Sequence, residues 1–346
     1  MKILKIALLL LLALPTLVSA EDALWLDMAG VDGPGQGKKV VLISGDEEYR
    51  SEESVALFAK ILSQHHGFDC RAVFAIDPKT GNIDSNNQTN IPGLEALKDA
   101  DLMIIGTRFR QLPDDQLQYI ADYINAGKPV IGFRTATHAF RGSGEVDGLT
   151  FAKFGLNILG EQWVNHHGRH KKEGARGVIE SANASHPILN GVKDVFGPSD
   201  VYGVIHLKDT DTILMRGAVT KTMDPKSAPI AGDKNSPMMP MVWAREYTAP
   251  SGKKGQAVCT TMGASVDFLS EDLRRLIINA SYHLTGLKVP KKANAELVDG
   301  FDPSFYSSAG GNYWTNRAIK PADFALGQDI KRADPPGSPE WPARDQ

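Results

Sequence analysis

Residues 39–64 read KVVLISGDEEYRSEESVALFAKILSQ, and this stretch decides the fold. The compact apolar run at residues 39–44 ends at a glycine, as is typical of a buried strand. After a polar loop, apolar residues return at the helical period up to about Gln64, at Val55, Phe58, Ala59 and Leu62. We expect Ser51 to cap this helix, because its hydroxyl can accept hydrogen bonds from first-turn amides. The stretch is therefore a strand, a loop and a helix.

The same pattern continues through the first half of the chain. Strands are predicted at residues 68–76, 101–106 and 128–133, and a helix is predicted from Pro113 to Gly127. Strands that alternate with helices at this spacing form βαβ units. We therefore predict a three-layer α/β/α sandwich with a mainly parallel sheet.

The second half is less regular. Strands are predicted at residues 177–180, 201–207, 212–215, 241–245 and 256–261. A helix is predicted from Glu271 to Leu284, with Arg274 and Arg275 on its outer side. Residues 21–37 are rich in glycine and are interpreted as a loose lead-in, and residues 38–286 as the main domain. Pro, Gly, Asn and Asp dominate from Val289 onward, so residues 287–346 are interpreted as an extended C-terminal tail.

Three segments together carry a resemblance to a known family. The run Gly-Lys-Pro-Val-Ile-Gly-Phe-Arg-Thr-Ala-Thr-His at residues 127–138 resembles the strand-to-turn segment of the class I glutamine amidotransferase-like fold, which is also described as flavodoxin-like. The runs PMVWAREY at 240–247 and GQAVCTTMG at 255–263, followed by RRLIINA at 274–280, resemble the ThuA-like (trehalose-utilisation) family within that fold. The resemblance spans roughly residues 38–286 and implies a role in carbohydrate utilisation.

The chain departs from these relatives at three positions. Arg134 stands where the amidotransferases place their nucleophilic cysteine and where ThuA-like proteins often have a histidine. A guanidinium stays cationic and is not a nucleophile, so the protein is not a glutamine amidotransferase. Gly263-Ala264 replaces a family Gly-His pair, and Gly45-Asp46-Glu47 replaces Gly-Gly-His.

Polar side chains follow three of the predicted strands, where an open parallel sheet binds its ligands. We predict acid/base roles for Asp46, Glu47 and His138. Ligand contacts are predicted for a second set of residues, comprising Arg50, Arg110, Arg134, Thr135, His166 and His167. Arg134 is expected to point outward into the crevice, and His138 to be a neutral imidazole near a helix N-terminus.

Structural interpretations of these residues stay open. The acidic residues 46–48 could instead complement the dipole of the following helix. Arg108, Arg110 and Arg134 could form an ion-pair lattice with these carboxylates, and His138 could be a packed core residue.

Three closely spaced histidines, His166, His167 and His170, suggest a zinc site. Gly168 interrupts the run, however, and no cysteine or His-Glu-x-x-His frame accompanies it. We therefore predict no metal or other cofactor, and interpret this segment as a loop lining a sugar pocket with Trp163 as a stacking surface. The remaining histidines are interpreted as structural, namely His65, His66, His186, His206 and His283.

The composition narrows the class of partner. A net charge of −3 without a Lys/Arg stripe argues against binding to nucleic acid. The two cysteines, Cys70 and Cys259, lie in strand-like runs and are interpreted as buried free thiols, although a disulfide between them is the alternative.

Residues 1–20 have the three-part pattern of a secretory signal. Lys2 and Lys5 precede a short apolar run, and Ser19-Ala20 supplies the small residues of a cleavage site. We therefore expect an exported protein, periplasmic or extracellular, without a membrane span after cleavage.

Two functions are compatible with these patterns. The first is an exported protein that processes or binds a small-molecule carbohydrate, with acid/base chemistry if it is an enzyme. The alternative is a non-catalytic carbohydrate-binding or scaffolding module, in which the replaced family histidines reflect lost chemistry.

The signal-peptide interpretation predicts where the mature chain starts. When the protein is expressed with its own leader, the isolated product should begin at Glu21, because signal peptidase cleaves after small residues. N-terminal sequencing or intact-mass measurement checks this, and a secreted product that retains Met1 contradicts it.

Overall fold

The computed structural model describes residues 23–142 and 144–341, so the predicted signal peptide lies outside the described residues. The strands are β1 Trp25–Met28, β2 Lys39–Gly45, β3 Asp69–Val73, β4 Leu102–Thr107, β5 Val130–Phe133, β6 Glu145–Val146, β7 Leu149–Thr150, β8 Ala175–Ile179, β9 Phe196–Gly197, β10 Thr212–Val219, β11 Met239–Thr248 and β12 Lys254–Thr260. The helices are α1 Ser51–His66, α2 Asp114–Asn125, α3 Glu271–Leu284 and α4 Tyr313–Arg317.

Ten of these strands form one mixed sheet in the order β1-β3-β2-β4-β5-β12-β11-β10-β8-β9. The five strands from β3 to β12 in this order are parallel. The pairings at both ends of the sheet are antiparallel. The predicted α/β class is confirmed, but parallel pairing is confined to the middle of the sheet.

Helices pack on both faces of the sheet. Val40 and Leu42 of β2 belong to an apolar cluster that also contains residues of α1 and α3. The alternate residues Val41 and Ile43 belong to a second cluster, which contains the buried face of α2. Successive side chains of a strand point to opposite faces, so the continuous apolar run in β2 reflects burial on both sides.

Two segments differ from the expected pattern. Residues 25–28, within the predicted lead-in, form β1 and pair with β3. Residues 201–207 form no strand, although β-type residues are frequent there. Instead, the amides of Ile205 and His206 donate to the buried carboxylate of Glu161 at 2.6 and 2.9 Å. These two amides therefore donate to a side chain and not to the carbonyl groups of a neighbouring strand.

The start of α1 also differs from the prediction. Ser51 is the first helical residue, and its hydroxyl binds Ser44 and the amide of Gly45 instead of capping the helix. Arg50 occupies the N-cap position with a φ of 61°, in the left-handed region. The chain therefore turns sharply between β2 and α1, and the Ser51 hydroxyl is hydrogen-bonded to the end of β2.

Helix α3 has the predicted bounds, but Arg274 and Arg275 are buried and do not lie on its outer side. Their guanidinium groups donate to the carbonyl oxygens of Ala295 and Ala293, at 2.9 and 3.0 Å. The error arises because the C-terminal tail covers this side of the helix.

The tail runs along the domain and is bound through buried polar groups. The ammonium of Lys60 on α1 lies 2.7 Å from Asp299 and also donates to the carbonyl of Gln328. The hydroxyl of Ser304 donates to Glu53 at 2.6 Å. Helix α1, which would otherwise present charged side chains to solvent, is therefore covered by the tail.

Both cysteines are free and buried, as predicted. Burial raises the pKa of each thiol well above its usual value, so neither is a reactive thiolate. Within residues 23–142 and 144–341, no helix is long and apolar enough to cross a membrane.

His66 links α1 to α3 and to the tail, and it predicts a pH-dependent stability. Its ring lies 2.8 Å from both the Tyr282 hydroxyl and the carbonyl of Asn294. The carbonyl requires an N–H at Nε2, so the neutral ring accepts from Tyr282 through Nδ1. Burial lowers the pKa of His66 from 6.5 to about 4.

Because the unfolded chain binds this proton below about pH 6.5 and the folded chain only near pH 4, stability should fall as the pH drops through this window. The loss attributable to His66 should reach about 3 kcal/mol in the free energy of unfolding. Urea titrations at several pH values measure it. In His66→Gln, whose amide still donates to Asn294, this part of the loss should disappear; identical profiles in both proteins contradict the assignment.

Candidate functional site

Three loops meet at the carboxyl ends of parallel strands. Residues 45–50 follow β2, residues 107–111 follow β4, and the short 3-10 helix Arg134–His138 follows β5. Parallel strands end at the same edge of the sheet, which brings the three loops together as predicted. Two segments that are remote in sequence, 163–170 and 198–202, complete the site.

Arg134 lies at the centre of this arrangement, and its predicted outward orientation is wrong. The residue is 1% exposed and has a φ of 47°. Its guanidinium donates to the carbonyls of Asp200 and Thr261, to the Tyr49 hydroxyl and to the Asp200 carboxylate, at 2.7 to 3.1 Å. It also lies between the rings of Tyr49 and Tyr202, 4.4 and 3.8 Å from their centroids. Burial disfavours its charge, but the surrounding oxygens hold its pKa above the usual value.

Asp46 is fully buried and bound on both oxygens. Oδ1 accepts from the amides of Glu48 and Tyr49 at 2.8 and 3.0 Å, and Oδ2 accepts from the Thr135 hydroxyl at 2.6 Å. This carboxylate therefore shapes the loop after β2 and joins it to the turn after β5. Thr135 is likewise buried and directed at Asp46.

Glu47 is bound by two guanidinium groups. Arg108 forms an ion pair with its Oε1, and Arg110 lies 3.0 Å from Oε2. Arg110 is itself buried and also donates to the carbonyls of Ser85 and Asn87. Burial and the nearby charge of Asp46 raise the pKa of Glu47 despite the two arginines.

Arg50 does not join the other predicted ligand residues. It is buried beneath α4, where its guanidinium stacks on the rings of Tyr313 and Trp314. It also donates to the carbonyl of Glu47 at 2.6 Å. Its contacts are therefore with the loop backbone and the tail.

His138 ends the 3-10 helix after β5, so the predicted position near a helix N-terminus is wrong. Its ring packs beside Phe109 and Trp163, with centroids 5.0 and 5.7 Å away. Burial, together with the charges of Arg108 and Arg134, lowers its pKa to about 3. The imidazole is therefore neutral at physiological pH, for a different reason from the one expected.

His166 and His170 meet on a carboxylate that the sequence analysis did not identify. Nδ1 of His166 lies 2.7 Å from Oδ2 of Asp200, and Nδ1 of His170 lies 3.0 Å from Oδ1. The other nitrogen of His170 lies 3.1 Å from Glu48. Burial of Asp200 is outweighed by Arg134 and the two histidines, which hold its pKa well below the usual range.

His167 points elsewhere, with Nε2 2.7 Å from the carbonyl of Lys234. Trp163 is one of the exposed large hydrophobic residues at 37%, and its ring centroid lies 5.6 Å from that of His166. We use the name strand-end surface for the partly exposed side chains that contact one another here: Glu47, Glu48, Arg108, Trp163, His166 and His170.

Sequence reasoning missed Asp200 and underrated Glu48 for different reasons. Asp200 follows the segment Gly197-Pro198-Ser199, is 66 residues from Arg134 and lies outside the polar clusters that follow the predicted strands. Glu48 belongs to the acidic run 46–48, but Asp46 and Glu47 lie closer to the end of the predicted strand, where ligands are expected to bind. In the structure the loop turns so that Asp46 faces inward.

Comparison with solved structures found proteins of low similarity. A putative ThuA-like protein from Parabacteroides merdae is 14% identical, with a TM-score of 0.46 over 73% of this chain and 92% of that chain. A cytoplasmic protein from Salmonella typhimurium is 10% identical, with a TM-score of 0.38 over 73% and 100%. A catalytic mutant of a GH42 β-galactosidase from G. stearothermophilus is 8% identical, with a TM-score of 0.38 over 73% and 31%.

These structural similarities are weak, and no curated protein sequence matches the chain. The family model for ThuA, described as trehalose utilisation, matches residues 39–283. This match covers all three loops after β2, β4 and β5, as well as the segments that contain His166, His170 and Asp200. The chain therefore belongs to the ThuA trehalose-utilisation family.

Proposed function

We propose that this protein is an exported member of the ThuA family that binds and processes a small carbohydrate at the strand-end surface. The observation that carries the proposal is the exposed ring of Trp163 beside the ring of His166. His166 contacts His170, which is linked through Glu48 to the charged group of Arg108. An aromatic face covers the apolar side of a sugar ring, and charged groups form strong hydrogen bonds with its hydroxyls. Export is supported by the pattern of residues 1–20 alone.

The contacts of each predicted residue refine its proposed role. Glu47 is the better acid/base group, because it is partly exposed and its pKa is raised. Asp46 supports it by fixing the loop and by contributing a neighbouring negative charge. His138, which is neutral, is suited to a hydrogen bond with the ligand.

The ligand-binding roles are refined in the same way. Arg108 is the guanidinium that we assign to the sugar, because it is partly exposed, whereas Arg110 and Arg134 are buried and hydrogen-bonded to other loops. Those two arginines, together with Thr135 and Arg50, position the loops. His166 is the proposed contact among the histidines, while His167 remains a predicted contact at the edge of the site.

A non-catalytic carbohydrate-binding module is the second candidate. Both oxygens of Glu47 are bound by guanidinium groups, Oε1 by Arg108 and Oε2 by Arg110. These contacts oppose the rise in the pKa of Glu47 and occupy both of its oxygens, which makes it a weaker proton carrier. Incubation of the purified protein with each sugar that it binds, followed by chromatography of the products, separates the two candidates.

The binding proposal predicts the effect of removing the aromatic surface. In calorimetric titrations with a panel of mono- and disaccharides that includes trehalose, at least one sugar should bind. Trp163→Ala should weaken its affinity at least tenfold, which corresponds to about 1.4 kcal/mol.

Trp25→Ala is the matched control, since Trp25 lies on edge strand β1 and stacks on Arg71. It should leave the sugar affinity unchanged. If no sugar binds to the wild-type protein, or if both variants lose affinity equally, the proposal is wrong.

The buried position of Arg134 predicts a loss of stability. Arg134→Met removes four hydrogen bonds and leaves Asp200 without its guanidinium partner. The free energy of unfolding should fall by about 3–5 kcal/mol, as is typical when one partner of a buried ion pair is removed. Chemical denaturation measures it.

The exposed Arg141 provides the control. Arg141→Met should change the free energy of unfolding by less than about 0.5 kcal/mol. An Arg134→Met protein that unfolds like the wild type but no longer binds the sugar would show that Arg134 contacts ligand instead.

A further inference from the structure

The side chains of His166, His170 and Asp200 offer three ligand atoms that all lie within 4.8 Å of one another. Two imidazole nitrogens and one carboxylate oxygen form a ligand set typical of zinc and neighbouring divalent transition metals. Such ions bind nitrogen and oxygen at about 2.0–2.2 Å, so ligand atoms around one ion are roughly 3–4 Å apart. The 4.8 Å limit in this structure is somewhat wider than that spacing, so the side chains would move closer together around a bound ion.

The backbone around the cluster holds it in place. The amides of His167 and Gly168 both donate to the carbonyl of Val201, at 2.8 and 2.9 Å. Gly168 approaches Asp200 so closely that a Cβ atom on it would lie 3.1 Å from that of Asp200. The glycine that interrupts the histidine run in the sequence is therefore what allows the loop to pack against the carboxylate.

The hydrogen bonds around the cluster also suit a metal ligand set. Histidine ligands commonly donate their second N–H to a carboxylate, which fixes the ring. His170 has this arrangement, since Nδ1 faces Asp200 and Nε2 lies 3.1 Å from Glu48. Asp200 is oriented in turn by Arg134 at 3.1 Å.

We propose that His166, His170 and Asp200 bind one divalent transition-metal ion of the zinc type, with Glu48 as the positioning residue for His170. The side chains of His166 and His170 are 32% and 26% exposed, so the ion has open positions toward solvent. Three protein ligands with an open position are typical of metal sites that bind a water or a substrate oxygen. At the strand-end surface, such an ion would bind hydroxyl groups of a ligand.

The test uses the metal alone and is independent of the carbohydrate proposal. Full-length protein is stripped with a chelator and titrated with Zn²⁺ in a calorimeter, and Co²⁺ is used to record the visible absorption of the bound ion. We expect one site per chain. His166→Ala and His170→Ala should each weaken Zn²⁺ binding at least 100-fold, and Glu48→Gln should weaken it 10- to 100-fold.

His167→Ala is the matched control, because this neighbouring imidazole faces Lys234 instead of Asp200. It should leave the Zn²⁺ affinity within twofold of the wild type. Excess Zn²⁺ should raise the melting temperature of the wild type and of His167→Ala, but not that of the other two histidine variants.

Three results would overturn the proposal. The first is a wild-type protein that binds no Zn²⁺. The second is Zn²⁺ binding that survives both His166→Ala and His170→Ala, which would place the ion elsewhere, for instance at the contacting rings of His186 and His283. The third is an equal loss in His167→Ala.

Discussion

The buried guanidinium of Arg134 is the interaction on which the functional end of this protein depends. It connects the turn after β5 to Tyr49 in the loop after β2, to Thr261 after β12 and to Asp200 in a remote segment. A charge in a protein interior is tolerated only when it is paired and hydrogen-bonded. Each of these segments must therefore keep its position for the others to remain stable. The turn after β5 thus presents a buried, structural cation.

This arrangement separates the polar residues into two groups. Some of them, such as Asp46 and Arg110, are buried and use their hydrogen bonds to shape the loops. Others in the same loops, such as Glu48 and Arg108, have side chains that are 11% and 22% exposed and reach the surface. The partly exposed histidines His166 and His170 extend the same surface through Asp200. The buried polar residues therefore hold the loops in place, and a smaller set of partly exposed residues covers them.

The C-terminal tail contributes to this rigidity although it lies beyond the family match. The amides of Ser307 and Ala309 donate to the carbonyls of Glu48 and Glu47, each at 3.1 Å. The ring of Tyr306 packs against that of Tyr49, with centroids 5.0 Å apart. The tail thus supports the acidic loop from the side opposite Arg134. Carbonyl groups of the tail also satisfy the buried arginines of α3, so the domain and its tail form one hydrogen-bonded unit.

The sequence by itself determined the α/β class, the parallel strands β2 to β5, the bounds of α3 and the buried thiols, because local periodicity and composition carry that information. The family was indicated by the resemblance of a few segments, such as residues 127–138 and 255–263. Only the tertiary structure decided which charged side chains are exposed. Burial of Arg134 depends on partners 66 to 127 residues away, and Arg274 is covered by a tail whose pattern predicts no core. The cluster of His166, His170 and Asp200 likewise depends on the close approach of two distant loops at Gly168. Hydrogen bonds between remote segments leave no periodic signal in a single sequence, so their geometry appears only once the chain is folded.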